Sequence, residues 1–135
     1  ELGQLGVALK ILDLSNNHLN GTMPASIGRF TILGELRLHR NALTGPMPSE
    51  LGAMNSLNLA FLQDNLLSGS IPEAVMRAPL LSTLNVSDNP LLSGLIPNGF
   101  CDMDSSKCEG HLGHDCGFVF DCNNSNLCGC DCPCA

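Results

Sequence analysis

The fold of this chain is decided by a stretch that reads LGELRLHRNALTGPMP, residues 33–48. The stretch follows the pattern LxxLxLxxNxLxGxxP, and the same pattern starts again at Leu9, Leu57 and Leu81, so that successive copies lie 24 residues apart. Self-similarity at one fixed period is the sequence signature of a repeat solenoid, in which each copy packs on its neighbours. We therefore predict four stacked copies of one short structural unit.

The copies differ in two places. The third has Ala60 in place of a leucine, and the fourth reads Leu84, Val86, Asn89 and Leu91, with one extra residue between Leu91 and its glycine and proline. Residues 1–8 resemble the end of a further copy, so the chain is expected to start inside a repeat. The predicted organisation is a repeat domain over residues 1–100, with copies starting at residues 9, 33, 57 and 81, and a cysteine-rich capping segment over residues 101–135.

The spacing inside each copy predicts its local structure. The two leucines of Leu-x-Leu point to one side of a short strand, and such strands stack into a parallel sheet. The glycines and prolines favour turns and 3₁₀ segments over long helices, and apolar residues at constant offsets on the return path are expected to point into the core. The recurrent asparagine can bond backbone groups of the turn, and we interpret it as structural. The asparagines are Asn17, Asn41, Asn65 and Asn89, and the apolar residues of the return path are Ile27, Leu51, Val75, Phe30, Met54 and Ala78.

The extended pattern Leu-x-Gly-x-Ile-Pro, complete at residues 67–72, resembles the plant-type family of 24-residue leucine-rich repeats. The resemblance covers residues 1 to about 100 and rests on four copies in one register. It implies a right-handed leucine-rich-repeat solenoid of the α/β horseshoe class, with short parallel strands, 3₁₀ or irregular convex segments, and a concave strand face that usually binds partners.

The outward positions of the second and third copies are the candidate partner-binding residues. An aromatic side chain beside guanidinium groups can anchor a partner. The alternative is that Arg37 pairs with Asp13 and that Phe61 packs along its neighbours. The family resemblance adds that two basic residues on this surface, here Arg37 and His39, hold the terminal carboxylate of a peptide. The candidates are Glu35, Arg37, His39, Arg40, Leu59, Phe61 and Gln63.

Composition excludes several classes of function. Six Lys and Arg residues against thirteen acids give a net charge of −7, which argues against nucleic acid and anionic membranes as partners. No apolar run approaches the roughly 18–20 residues of a membrane-spanning helix. The sequence contains no nucleophile motif and no phosphate-binding glycine loop, and its carboxylates are scattered. We predict that the chain is not an enzyme and needs no cofactor.

All eight cysteines lie in the last 35 residues, an even number that predicts a disulfide framework made in an oxidising compartment. The tail resembles, more loosely, the capping segments of leucine-rich-repeat proteins from diatoms and related algae. Zinc binding by Cys108, His111, His114 and Cys116 is the alternative. The disulfide candidates are Cys101, Cys108, Cys116, Cys122, Cys128, Cys130, Cys132 and Cys134, and the N-glycosylation candidates are Asn20, Asn85 and Asn123.

The resulting hypothesis is a secreted or cell-surface module that recognises a protein or glycan through its strand face. Two alternatives stay open, namely a structural protein that self-associates or stacks on upstream repeats through its open amino-terminal edge, and an inhibitor of a secreted hydrolase. Fold alone does not choose between them.

Overall fold

The computed structural model of the chain describes residues 9–94 and the backbone of residues 118 and 119. Each copy contributes one short strand to a five-stranded parallel sheet, in the order β1-β3-β5-β7-β9. The pairing keeps the 24-residue register of the sequence, since Leu12 lies opposite Leu36 and Leu36 opposite Ala60. The strands are Ile11–Asp13 (β1), Glu35–Arg37 (β3), Leu59–Phe61 (β5), Thr83–Asn85 (β7) and Phe118–Val119 (β9).

A second parallel sheet, which the sequence pattern did not predict, runs through the turn that follows each asparagine, in the order β2-β4-β6-β8. The repeated glycine of each turn is what allows the chain to bend there, because Gly21, Gly45 and Gly69 all have φ between +74° and +81°. The strands are Asn20–Thr22 (β2), Ala42–Pro46 (β4), Leu66–Gly69 (β6) and Leu91–Leu92 (β8).

Short helices occupy the return path of three copies, as the prolines and glycines predict. They are the 3₁₀ helices Ala25–Arg29 (η1) and Ser49–Ala53 (η2) and the single α-helical turn Glu73–Met76 (α1). Each begins after a proline with an extended backbone. Successive helices approach so closely that a Cβ on Gly28 would lie 2.7 Å from the Glu50 carbonyl oxygen.

The core lies between the two sheets and these helices, and it consists of aliphatic and methionine side chains. Leu33, Leu36, Met54, Leu62 and Leu67 are completely buried. The predicted convex contributors are also buried or packed against the core, Phe30 among the latter. Because the apolar side chains of each copy pack against those of its neighbours, stability comes from contacts between copies rather than from contacts within one copy.

The recurrent asparagines connect adjacent copies, which confirms their structural interpretation. The carboxamide of Asn65 accepts a hydrogen bond from the Leu43 amide at 3.0 Å and donates to the carbonyls of Leu38 and Leu62 at 3.0 and 3.1 Å. Asn41 and Asn89 repeat this arrangement one copy earlier and one copy later. Asn17 is exposed, and among the described residues it donates only within its own turn.

One assignment from the sequence is wrong. The fourth copy was expected to use Leu91 as its core leucine, with the extra residue after it, but Leu91 is 57% exposed whereas Leu92 is fully buried. Leu92 pairs with Gly69 in the second sheet. The extra residue therefore lies between Asn89 and the core leucine, because alternation along β8 allows only one of two adjacent leucines to face the core.

The capping segment enters the described residues only through β9. Its residues Phe118 and Val119 pair in parallel with Leu84 and Asn85, so the tail adds a strand beside the last repeat. The predicted disulfides at the eight cysteines, the zinc alternative at Cys108, His111, His114 and Cys116, the partial repeat over residues 1–8 and the sequon at Asn123 lie outside the described residues.

Candidate functional site

All seven candidate residues lie on one surface, which we call the strand face. It comprises the side of the five-stranded sheet that points away from the core and the turns that directly follow its strands. Within each strand the middle residue is the more deeply buried and the flanking residues point outward. Across the strands the outward residues form rows, which are Ile11, Glu35, Leu59 and Thr83 in the first row and Asp13, Arg37, Phe61 and Asn85 in the second.

Arg37 sits between two carboxylates on this face. Its guanidinium donates from Nε to Glu35 at 2.7 Å and from a terminal nitrogen to Asp13 at 3.2 Å. The carboxylate of Asp13 also accepts bonds from the hydroxyl and the amide of Ser15, at 2.6 and 3.0 Å. These bonds from Ser15, together with the nearby Arg37, lower the pKa of Asp13. The bonds to Glu35 and Asp13 raise the pKa of Arg37. The structure therefore agrees with the expected pairing of Arg37 and Asp13.

The apolar part of the strand face is formed by Leu59 and Phe61. Both are half-buried, not fully exposed as the sequence suggested. The Phe61 ring meets the imidazole of His39 edge to face, with ring centroids 6.4 Å apart and an interplanar angle of 74°. This edge-to-face contact holds the aromatic ring at the end of β5, beside the turn that follows β3.

Two polar atoms beside this ring have no hydrogen-bond partner among the described residues. They are Nδ1 of His39 and Oε1 of Gln63, and both are shielded from solvent. The two residues occupy equivalent positions in adjacent copies, so their side chains lie in one row. An unpaired buried polar atom costs about 1–3 kcal/mol unless an ordered water or another group satisfies it.

Arg40 completes the candidate set at the end of the strand face. Its φ of 55° places it in the left-handed region, in which the other three copies have Asn16, Asp64 and Asp88. Asn and Asp tolerate this conformation, whereas a long side chain pays about 1–2 kcal/mol for it. The arginine is well exposed and contacts Asp64 only at 3.6 Å. Sequence reasoning missed this strain, although the Asn or Asp in three of four copies is a readable signal for it.

The sequons Asn20 and Asn85 lie in different environments. Asn20 is exposed on β2, the edge strand of the second sheet. Asn85 is half-buried on the strand face between Phe61 and Val119 of the adjacent strands, and its side-chain oxygen accepts hydrogen bonds from the amide and hydroxyl of Ser87 at 3.1 and 2.9 Å. A glycan on Asn20 would project away from the strand face, whereas one on Asn85 would cover it.

Metal binding and membrane insertion were also considered for the described residues. Among the described residues, no group of three or more His, Cys, Asp and Glu side chains is arranged to hold a metal ion. In the same part of the chain, no helix has the length and apolarity needed to cross a bilayer.

The fold agrees with comparisons to known proteins. A family profile described as Leucine Rich Repeat matches residues 8–30 and 80–103. No curated protein sequence matches the chain. The fold is a leucine-rich-repeat solenoid, and the matches support a plant-type leucine-rich-repeat family.

Solved structures of plant receptor ectodomains resemble the chain over most of its length. A chain of the BIR3–SERK2 complex of Arabidopsis thaliana is 32% identical with a TM-score of 0.74, over 96% of this chain and 63% of that one. The ectodomain of the receptor kinase SOBIR1 from the same plant is 30% identical with a TM-score of 0.73, over 95% and 64%.

A third similar structure is much longer than this chain. The ectodomain of GASSHO1/SCHENGEN3 from Arabidopsis thaliana, in complex with CASPARIAN STRIP INTEGRITY FACTOR 2, is 32% identical with a TM-score of 0.74, over 95% of this chain and 17% of that one. The chain thus spans less than two thirds of these ectodomains.

Proposed function

We propose that this chain is an extracellular recognition module that binds a protein partner through the strand face, around Leu59 and Phe61. The observation that carries the proposal is the combination, on one face, of a half-exposed aromatic ring with the unpaired polar atoms of His39 and Gln63. Interface anchors are commonly aromatic side chains with polar groups close by.

The similar structures support a protein as the partner. The BIR3–SERK2 structure is a complex of two proteins, and the GASSHO1/SCHENGEN3 ectodomain is in complex with CASPARIAN STRIP INTEGRITY FACTOR 2. Both structures resemble this chain over most of its length, with TM-scores of 0.74. The sequons and the even number of cysteines favour the same extracellular setting.

The experiment is a binding screen of the immobilised chain against secreted peptides and receptor ectodomains of its source organism, with an oligosaccharide array run beside it. Each hit is then measured with Phe61→Ala. Loss of a central aromatic anchor typically weakens binding at least thirtyfold, which corresponds to about 2 kcal/mol. The matched control is Leu80→Ala, which removes an apolar side chain that is 57% exposed and lies outside the strand face.

The two variants separate the possible outcomes. Binding that is lost with Phe61→Ala and kept with Leu80→Ala supports the strand face as the site. Hits that both variants bind equally well contradict it. Hits found only on the oligosaccharide array would replace the protein partner with a glycan.

The extracellular setting has its own test, which is the mass of the chain from its natural source. Intact mass before and after reduction counts disulfides, and glycosidase treatment reveals glycans. We expect a mass gain on reduction and a glycan on Asn20, which is exposed, but not on Asn85. Eight free thiols with all three sequons bare would contradict secretion.

A second candidate function is assembly through the amino-terminal edge. Leu14 and Leu19 are 40% and 38% exposed, whereas the equivalent Leu38 and Leu43 of the next copy are only 5% and 7% exposed. An apolar layer of this kind can stack on another repeat. Light scattering tests self-assembly: a dimer that Leu19→Lys dissociates supports it, and a monomer at all concentrations excludes it.

A further inference from the structure

The strand face is acidic, despite the two arginines that the sequence places there. Among the described residues its outward charges are Arg37 and Arg40 against four carboxylates, a formal charge of −2. The carboxylates are Asp13, Glu35, Asp64 and Asp88. A binding surface usually carries a potential of the opposite sign to that of its partner.

Arg37 is already paired on this face. It already binds Glu35 and Asp13, and the side chain of Glu35 is only 14% exposed. A terminal carboxylate would have to displace one of these partners or add a third negative charge to the cluster. Both cost free energy, because like charges in partly desolvated positions repel. The expected pairing of Arg37 with His39 around a carboxylate therefore conflicts with this geometry, since His39 instead packs against Phe61.

The acids at the end of the strand face are less closely paired than Arg37. Asp64 and Asp88 follow equivalent strands in adjacent copies, and backbone hydrogen bonds hold their turns together, from the Asp64 amide to Ser87 and from the Asn65 amide to Asp88. Both side chains are exposed. Arg40 reaches Asp64 at 3.6 Å, and no cation among the described residues pairs with Asp88.

The apolar and acidic parts lie close together. Phe61 and Asp64 are three positions apart, which places their Cα atoms within roughly 10 Å. On an extended segment, side chains two positions apart point to the same side and lie roughly 6.6 Å apart.

We propose that the strand face binds an extended peptide segment. In this peptide an apolar side chain packs on Leu59 and Phe61, and one lysine or arginine, two positions before or after it, lies over Asp64 and Asp88. This inference rests on the proposed function and narrows its partner. The peptide is recognised through its interior, not through a free carboxyl terminus.

The test uses two libraries of random heptapeptides displayed on phage, one joined to the coat protein at its carboxyl end and one ending in a free carboxylate. Selection on the full chain is expected to enrich sequences with an apolar and a cationic residue two positions apart, in the first library. The double variant Asp64→Asn with Asp88→Asn should weaken the selected peptides roughly three- to tenfold at low salt, and the difference should shrink as salt rises. Glu50→Gln, which neutralises an exposed acid on η2, is the matched control and should leave binding unchanged.

Three results would overturn the inference, and they differ in whether the proposed function stands. Ligands that need their carboxyl terminus or acidic residues, and that lose affinity with Arg37→Ala, would overturn this inference and leave the proposed function standing. Apolar ligands without cations, unaffected by the double Asp variant, would overturn it in the same way. Selected peptides that bind equally well to Phe61→Ala would overturn both the inference and the strand face as the site.

Discussion

Replacing Asn65 with alanine is expected to destabilise the solenoid far more than the same change at Asn17. Asn65 is 4% exposed, and its carboxamide satisfies the Leu43 amide and the Leu38 carbonyl of the preceding copy, both at 3.0 Å. Its removal leaves the Leu43 amide buried without this partner, at a cost of about 1–3 kcal/mol, whereas the Leu38 carbonyl keeps its bond from Asn41 at 3.0 Å. Together with the lost bonds to Leu38 and Leu62, at about 0.5–1.5 kcal/mol each, we expect Asn65→Ala to lower the free energy of unfolding by about 2–5 kcal/mol.

Asn17→Ala is the matched control, since Asn17 has the same place in its copy but is exposed, and within residues 9–94 its carboxamide bonds only Leu14 and Ser15. Its cost should not exceed about 1 kcal/mol. Because the chain lacks Trp and Tyr, the measurement is urea unfolding followed by far-ultraviolet circular dichroism. An unchanged dependence on urea concentration shows that both variants unfold from the same native state. Equal losses at the two positions would refute the bridging role of the buried asparagine.

Three other predictions follow from the same contacts. Gly52→Ala places a Cβ against the Ala74 carbonyl and should cost about 2–4 kcal/mol or prevent folding, whereas Gly34→Ala, with its nearest atom at 3.6 Å, should be nearly neutral in a thermal melt. Arg40→Asn relieves the left-handed backbone and should stabilise by about 0.5–1 kcal/mol in urea unfolding, so a loss of stability would contradict the strain. The pKa of Asp13 lies below its ordinary value of 3.8, so its contribution to stability is present above about pH 4 and is lost as the pH falls through the folded pKa. Asp13→Asn should therefore flatten the loss of stability below pH 4, as measured by urea unfolding at a series of pH values. An unchanged acid profile would contradict this.

The repeat register was predictable because it follows from the 24-residue period of the sequence. The first sheet was predictable because its strands follow from the alternation of leucines at period two. A leucine on alternate positions has one way to face a core, and the second and third copies confirm it. The same logic failed at Leu91, because two adjacent leucines both satisfy the pattern and only the pairing of β8 with β6 selects Leu92.

The site was predictable in its location but not in its electrostatics. Alternation along β3 and β5 correctly places the candidates on one face, since it concerns only which side of the sheet each residue occupies. Whether Arg37 is free depends on Asp13, which is 24 residues away, and on the rotamers of Glu35. The second sheet was missed for a similar reason, because its strands are defined by hydrogen bonds between turns and carry no alternating apolar pattern of their own.

The asparagine bridges give the solenoid a direction. Each buried asparagine satisfies the backbone of the copy before it, so a copy depends on its successor for two backbone hydrogen bonds and on its predecessor for none of this kind. Removing a copy at the amino-terminal side removes backbone groups that these asparagines satisfy. Removing a copy at the other side removes an asparagine, and the backbone groups of the preceding copy then lose the bonds it made. As far as these asparagine bonds are concerned, loss of a copy at the amino-terminal end leaves no recipient unsatisfied, whereas the other end needs a segment that supplies the missing bonds.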